Sequence, residues 1–162
     1  MVTITLKEFP THVAYTDNKY AVNKMKKLNN QSIYNGALNR FSRAIVMKNL
    51  HNYVTSNIPK GLKITSFPVK IHYLFRTVRN HGSISMRKGK ICWKPAKEGY
   101  EANWDLQNLA MIWMKGADDA FSKAGVLPDD NVDYIKGESF DIEFVDTLEE
   151  RELIITFEKW KD

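Results

Sequence analysis

Between Asp17 and Glu98 the sequence contains no aspartate and no glutamate, while the same eighty residues carry seventeen lysines and arginines. That absence excludes a carboxylate-based site built from residues 18–97. It also leaves a surface drawn from residues 18–97 without acids to neutralise it. Cysteine is nearly missing too. Cys92 stands alone, which excludes an intramolecular disulfide and fits a reducing, cytoplasmic setting. One cysteine, with His12, His51, His72 and His81 at no metal-ligand spacing, cannot supply an ordinary zinc site. No run of eighteen apolar residues occurs, so no membrane-spanning helix is expected. The opening MVTITLKEFP lacks the basic-then-apolar layout of a signal peptide. There is no G-x-S-x-G, no phosphate-binding P-loop and no G-x-G-x-x-G, and with them go the reaction classes those motifs serve.

What is present is one domain's worth of chain. The 162 residues are 43% hydrophobic, with no internal repeat and no Gly/Ser linker, and read as a single domain over 1–162. The net charge of +5 conceals a division. From Glu98 onward seventeen acids face six bases, the reverse of the preceding segment. Such asymmetry points to a polyanion partner, because clustered lysines and arginines bind a phosphate backbone by releasing its counterions.

Periodicity supplies the elements. VTITL alternates at period two and predicts a first strand. Residues 11–35 are polar and Asn/Lys-rich, and read as a long loop with irregular pieces. Ala37–Thr55 predicts a helix, stopped before Pro59 and Gly61. Val69, Ile71, Tyr73 and Phe75 alternate with polar residues, as in a strand with one wet face. NHGSISMRKGK reads as a mobile basic loop or a hairpin tip. In DLQNLAMIWMKGADDAFSKAG, the residues Leu106, Leu109, Ala110, Trp113, Ala117, Ala120, Phe121 and Ala124 fall within about 60° of one line at 100° per residue, a core stripe. Asp105 would cap this helix and Gly125 would end it. Phe140-Ile142-Phe144 and Leu153-Ile155-Phe157 read as a closing hairpin turned by DTLEER. The expectation is an α+β domain, a mixed or antiparallel sheet packed with two main helices.

The remaining chemistry lies in carboxylates. Asp129 and Asp130 follow Pro128, and as residues alone they suit a plain turn as well as they suit a cation site. Converging carboxylates around Mg²⁺ are what phosphodiester hydrolysis requires, with a lysine to stabilise charge developing on the phosphate.

The segment NWDLQNL…MKGADDAFSKAGVLPDDNV resembles the core of the RusA-type Holliday-junction resolvases. Asp105, Asn108 and Leu109 match the family's first motif. Lys115 with Asp119, Ala120 and Phe121 matches the second, and Gly125, Asp129, Asp130 and Val132 match the third. The match covers about thirty residues of the chain. The resemblance implies a RusA-like, Mg²⁺-dependent (or Mn²⁺-dependent) endonuclease that resolves four-way DNA junctions as a homodimer by paired nicks. It implies that Asp105, Asp129 and Asp130 hold the metal and that Lys115 assists at the phosphate. Lys24, Lys26, Lys27, Arg76, Arg79, Arg87, Lys88 and Lys90 would then grip the junction arms. Two departures stand out: Gln107 replaces the family's second aspartate, and Lys115 falls four residues later than expected, where Met111 occupies the ungapped position. Asp118, Asp119 and Glu101 are the nearby acids that would compensate. The departures motivate a second expectation, a junction-binding protein on the same fold that no longer cuts. A single-strand-binding module stacking bases on Tyr15, Tyr20 and Trp93 is a third.

Overall fold

The computed structural model describes residues 1–17, 22–28, 33–34, 38–79, 83–88, 90–94 and 106–161. Along the chain these form β1 (Val2–Lys7), β2 (His12–Asp17), β3 (Val22–Lys27), α1 (Arg40–Asn57), β4 (Val69–Val78), β5 (Ser83–Arg87), β6 (Lys90–Lys94), α2 (Leu106–Lys123), β7 (Ile135–Val145) and β8 (Glu152–Lys159). The main sheet has the order β1-β8-β4-β7. β8 runs antiparallel to β1 and β4, and β7 runs parallel to β4. The expected α+β architecture, a mixed sheet with two main helices, is therefore the observed one.

Alternation assigns the sheet its two faces. Ile4, Leu6, Val69, Ile71, Tyr73, Phe75, Leu153, Ile155 and Phe157 point to one side, and each is at most 2% exposed. The helices cover that side: Phe121 of α2 packs edge-on against Phe157 at 5.1 Å, and Trp113 against Phe9 at 5.5 Å. Thr3, Thr5, Lys70, His72, Arg76, Thr156 and Glu158 alternate onto the other face, which no element covers among the described residues.

Two sequence expectations are corrected. β7 and β8 do not form a hairpin, because β4 lies between them and bonds to both. Alternation states which face a strand buries but is silent about its neighbour. The six-residue link 146–151 easily steps over one strand, a gap of about 10 Å. β7 reaches its parallel place through α2, the crossover that a parallel pair requires. Second, the presumed loop over 11–35 contains the antiparallel pair β2–β3, in register from His12↔Lys27 to Asp17↔Val22. VNKMKK carries no apolar alternation, so the sequence gives no period-two signal for this strand. NHGSISMRKGK does contribute to a hairpin, β5–β6, with Lys88 at its tip in the left-handed region (φ 48).

The helices follow local rules. Asn39 caps α1 by accepting a hydrogen bond from the Ser42 backbone N–H at 2.9 Å. Ser42, Val46, Leu50 and Val54, each one turn apart, form its buried stripe. Phe41 lies off that stripe and stays exposed. In α2 the buried residues include Leu109, Ala110, Trp113, Ala117, Ala120 and Phe121, as the periodicity predicts. Ala124 falls past the last helical residue and is exposed. Gly125 ends the helix with φ 71. Its N–H donates to Ser122 O at 3.1 Å and that of Val126 to Phe121 O at 2.9 Å, the paired bonds of a Schellman cap. Asp105, the expected N-cap, lies outside the described residues.

The two helices come into close contact at Gly116. A Cβ there would fall 2.5 Å from Leu50 Cδ2, and Leu50 is fully buried with no room to withdraw. Gly116→Val should lower unfolding free energy by about 1–3 kcal/mol through overpacking. That is a fall of several degrees in Tm, measurable by thermal or denaturant unfolding, and an unchanged midpoint would contradict the close crossing.

Candidate functional site

The cations of the acid-free segment divide into two groups. β3 packs beside β5. This brings the strand bearing Lys24, Lys26 and Lys27 next to the hairpin bearing Arg87, Lys88 and Lys90, sixty residues away in sequence. The last three are exposed around the hairpin tip; the side chains of the β3 lysines lie outside the described residues. Six of the eight expected DNA-gripping cations thus ride on two neighbouring hairpins.

Arg76 and Arg79 are engaged elsewhere. Arg76 projects from β4 onto the open face, where Nη2 lies 3.3 Å from Glu143 Oε1 and Nη1 bonds to Glu152. Two carboxylates balance its charge. The Arg79 guanidinium lies over the Phe144 ring, 4.4 Å from its centroid. The acid-free stretch of sequence conceals this, because Glu143 and Glu152 arrive from β7 and β8, which flank β4 only in the folded sheet.

The Asp129–Asp130 pair forms a turn. Asp129 Oδ1 accepts from the Asp130 backbone N–H at 2.9 Å and Oδ2 accepts from Asn131 Nδ2 at 2.8 Å. Asn131 Oδ1 in turn accepts from the Asp133 N–H at 2.9 Å. Asp129 is therefore occupied in shaping the turn. Asp130, exposed beside it, projects its charge toward Asp118.

Asp118 is the unusual carboxyl group. It faces inward from α2, only 8% exposed, and its Oδ1 accepts a hydrogen bond from Tyr73 Oη at 2.5 Å. Burial above all, then the charge of Glu138, a hydrogen bond with Glu138 and the charge of Asp130, push it up to about 9; the Tyr73 bond pulls the other way. Asp118 therefore carries its proton at neutral pH. The same burial, with Asp118 beside it, raises the Tyr73 hydroxyl well above its usual range. Helix α2, β7 and the turn between them thus bring three carboxyl groups into electrostatic reach. The sequence marks Asp118 only as a substitute ligand and does not single out Glu138. A signal existed: Glu138 shares its phase with Phe140, Ile142 and Phe144, so it pairs with Ile71 on the core side of the sheet.

Lys115 pairs with Asp119 one turn on, Nζ to Oδ1 4.0 Å. Asp119 also meets His51 of α1, Oδ2 to Nε2 3.4 Å, and Lys123 Nζ lies 3.3 Å from His51 Nδ1. Burial and then the charge of Lys123 lower His51, so the neutral ring bridges the two helices. Gln107 is exposed in the opening turn of α2. At 1.5 Å per residue it stands about 24 Å along the axis from Lys123, and the Asp129–Asp130 turn follows beyond that end.

Among the described residues no three histidines, cysteines, aspartates or glutamates are placed to hold a metal ion. Asp129 spends both oxygens in its turn, Asp118 is protonated, and Asp105 and Glu101 lie outside the described residues. The described donors do not by themselves fit Mg²⁺. No family model matches the chain, and no curated protein matches it. No helix among the described residues is long and apolar enough to cross a membrane.

The proton on Asp118 has a consequence for stability. Between the ordinary aspartate range and about 9 the folded protein keeps a proton that the unfolded chain releases, so stability falls as pH rises through that window. Asp118→Asn keeps an acceptor for Tyr73 and removes the titration. Its Tm should decline less than that of the parent between about pH 5 and 9. Asp118→Ala, which strands the Tyr73 hydroxyl, should cost about 1–3 kcal/mol at about pH 5, and the gap to the parent should narrow as pH rises toward about 9. Parallel pH profiles for parent and Asp118→Asn would contradict the assignment.

Proposed function

We propose that this chain is a structure-specific DNA-binding protein of the resolvase type, acting as a homodimer on four-way junctions and cutting them as a Mg²⁺-dependent endonuclease. The observation that carries the proposal is the contact of β3 with β5. Two lysine-rich segments remote in sequence lie side by side, an arrangement that would suit a phosphate backbone. The binding surface is Lys24, Lys26, Lys27, Arg87, Lys88 and Lys90; Arg76, neutralised by Glu143 and Glu152, contributes little to it.

The cutting half of the proposal rests on the sequence resemblance. Asp105, Asp129 and Asp130 would hold the metal, which supplies charge neutralisation at the scissile phosphate and an activated water. Asp130 is the carboxylate of this set that its turn leaves unengaged among the described residues, so it carries the largest share. Lys115 would have to leave Asp119 to reach a phosphate.

Three observations favour a second reading, a junction binder that does not cut: Gln107 in place of a carboxylate, both Asp129 oxygens accepting within the turn, and Lys115 paired to Asp119.

One experiment tests the binding surface and a second separates the two readings. Replacing Arg87, Lys88 and Lys90 together by glutamate should weaken four-way-junction binding more than tenfold at moderate salt, on the order of what losing several phosphate contacts costs. Arg76→Gln should change it less than about twofold, since Glu143 and Glu152 already balance the Arg76 charge. Equal losses in the two variants would refute the assignment of the surface. With Mg²⁺ or Mn²⁺ the parent should nick a synthetic junction symmetrically, and Asp130→Asn should bind it without cutting. A parent as inert as Asp130→Asn under both metals rejects the endonuclease and leaves the binder.

A further inference from the structure

The chain closes on EKWKD, a tryptophan between two lysines inside its acid-rich half. Trp160 follows β8 and alternates onto the open face of the sheet. Its backbone N–H donates to Pro68 O at 2.9 Å, which ties this residue to the start of β4. The ring reaches past β4 to β7 and rests on Gly137, where an added Cβ would come 3.0 Å from Cζ3. Any larger residue at 137 would lift the ring, so the glycine is part of its seat. Held in this way, the indole keeps 36% of its surface exposed.

Beside it the open face is hollowed. A hollow of about 520 Å³ is bounded by Met1, Lys70, Glu158, Lys159, Trp160 and Lys161. A second of about 330 Å³ shares Lys70 and Glu158 and continues to His72 and Thr156. The larger volume lies in the range of small-ligand sites. Three lysines against one glutamate make the first hollow cationic, although the surrounding half of the chain is acidic. A large apolar ligand would strand these charges. An anionic ligand with a flat aromatic part would satisfy the lysines and the ring together. A nucleotide unit is such a ligand, and base stacking on an aromatic ring with lysines tracking the phosphates is how single strands are held without sequence preference.

We propose that this trough binds an unpaired DNA strand, one base stacked on Trp160 and the adjoining phosphates held by Lys70 and Lys161. The inference rests on the DNA reading above for the identity of the polymer, but its residues are separate from the two hairpins. It gives the protein a second contact, made with strand that leaves the duplex arms.

The test measures two ligands on the same proteins: a short fluorescein-labelled oligothymidylate, and a four-way junction with fully paired arms, both by anisotropy at low salt. The parent should bind the oligothymidylate. Trp160→Ala should weaken that binding on the order of tenfold, while Trp160→Phe, which keeps a stacking face, should stay within about threefold. Gly137→Val leaves the tryptophan in place but unseats it, and should lose affinity as Trp160→Ala does. Junction binding should respond to the triple hairpin variant and not to Trp160→Ala. Oligothymidylate binding equal to the parent's in both Trp160→Ala and Gly137→Val would overturn the trough. So would a parent that binds the junction and not the oligothymidylate, with the hairpin surface still standing. A parent that binds neither DNA would overturn both readings.

Discussion

β4 is bonded along both edges, antiparallel to β8 over Val69–Arg76 and parallel to β7 over Val69–Val78. Each feature with chemical interest takes its position from this strand. Its inward residues Val69, Ile71, Tyr73 and Phe75 form the floor on which the helices pack. Tyr73 reaches up to Asp118 of α2. On the other face His72 meets Ser139 of β7 at 2.9 Å, and Arg76 bridges Glu143 of β7 and Glu152 of β8. The chain leaving its C-terminal end builds the β5–β6 hairpin that stands beside β3. Moving β4 by one residue would invert these assignments, because the period of a strand is two.

Local patterns made part of this legible. The α2 stripe, its end at Gly125 and the alternation of β4 follow from spacing and from the conformational freedom of one glycine, and they require no knowledge of distant residues. The insertion of β4 between β7 and β8 was not legible. Both outer strands alternate cleanly, and nothing in either segment names its partner. The β2–β3 hairpin was hidden for a different reason: a lysine-rich strand paired through its backbone leaves no hydrophobic trace.

The site shows the same division. The basic segment was visible as a shortage of acid, yet composition alone could not tell which cations stay available. Arg76 lost its independence to carboxylates from β7 and β8. Asp129, prominent as half of an acidic pair, folds its oxygens into a turn, whereas Asp118, inconspicuous beside Asp119, is buried and protonated. The difference is a single helical step of about 100°, which turns one aspartate toward Tyr73 and the next toward His51. The acid-rich and base-rich halves are thus not two surfaces in simple opposition. Acids from the second half neutralise part of the first, and the short basic end of the second half gives the open face a hollow lined by lysines.

The central claim is that the hairpin pair carries a phosphate-binding surface. It is tested most directly by the salt dependence of four-way-junction binding by the unmodified protein. The logarithm of the association constant should fall linearly with the logarithm of salt concentration, with a slope of about −3 or steeper, as several released counterions require. A slope near zero, or no binding at low salt, would contradict it.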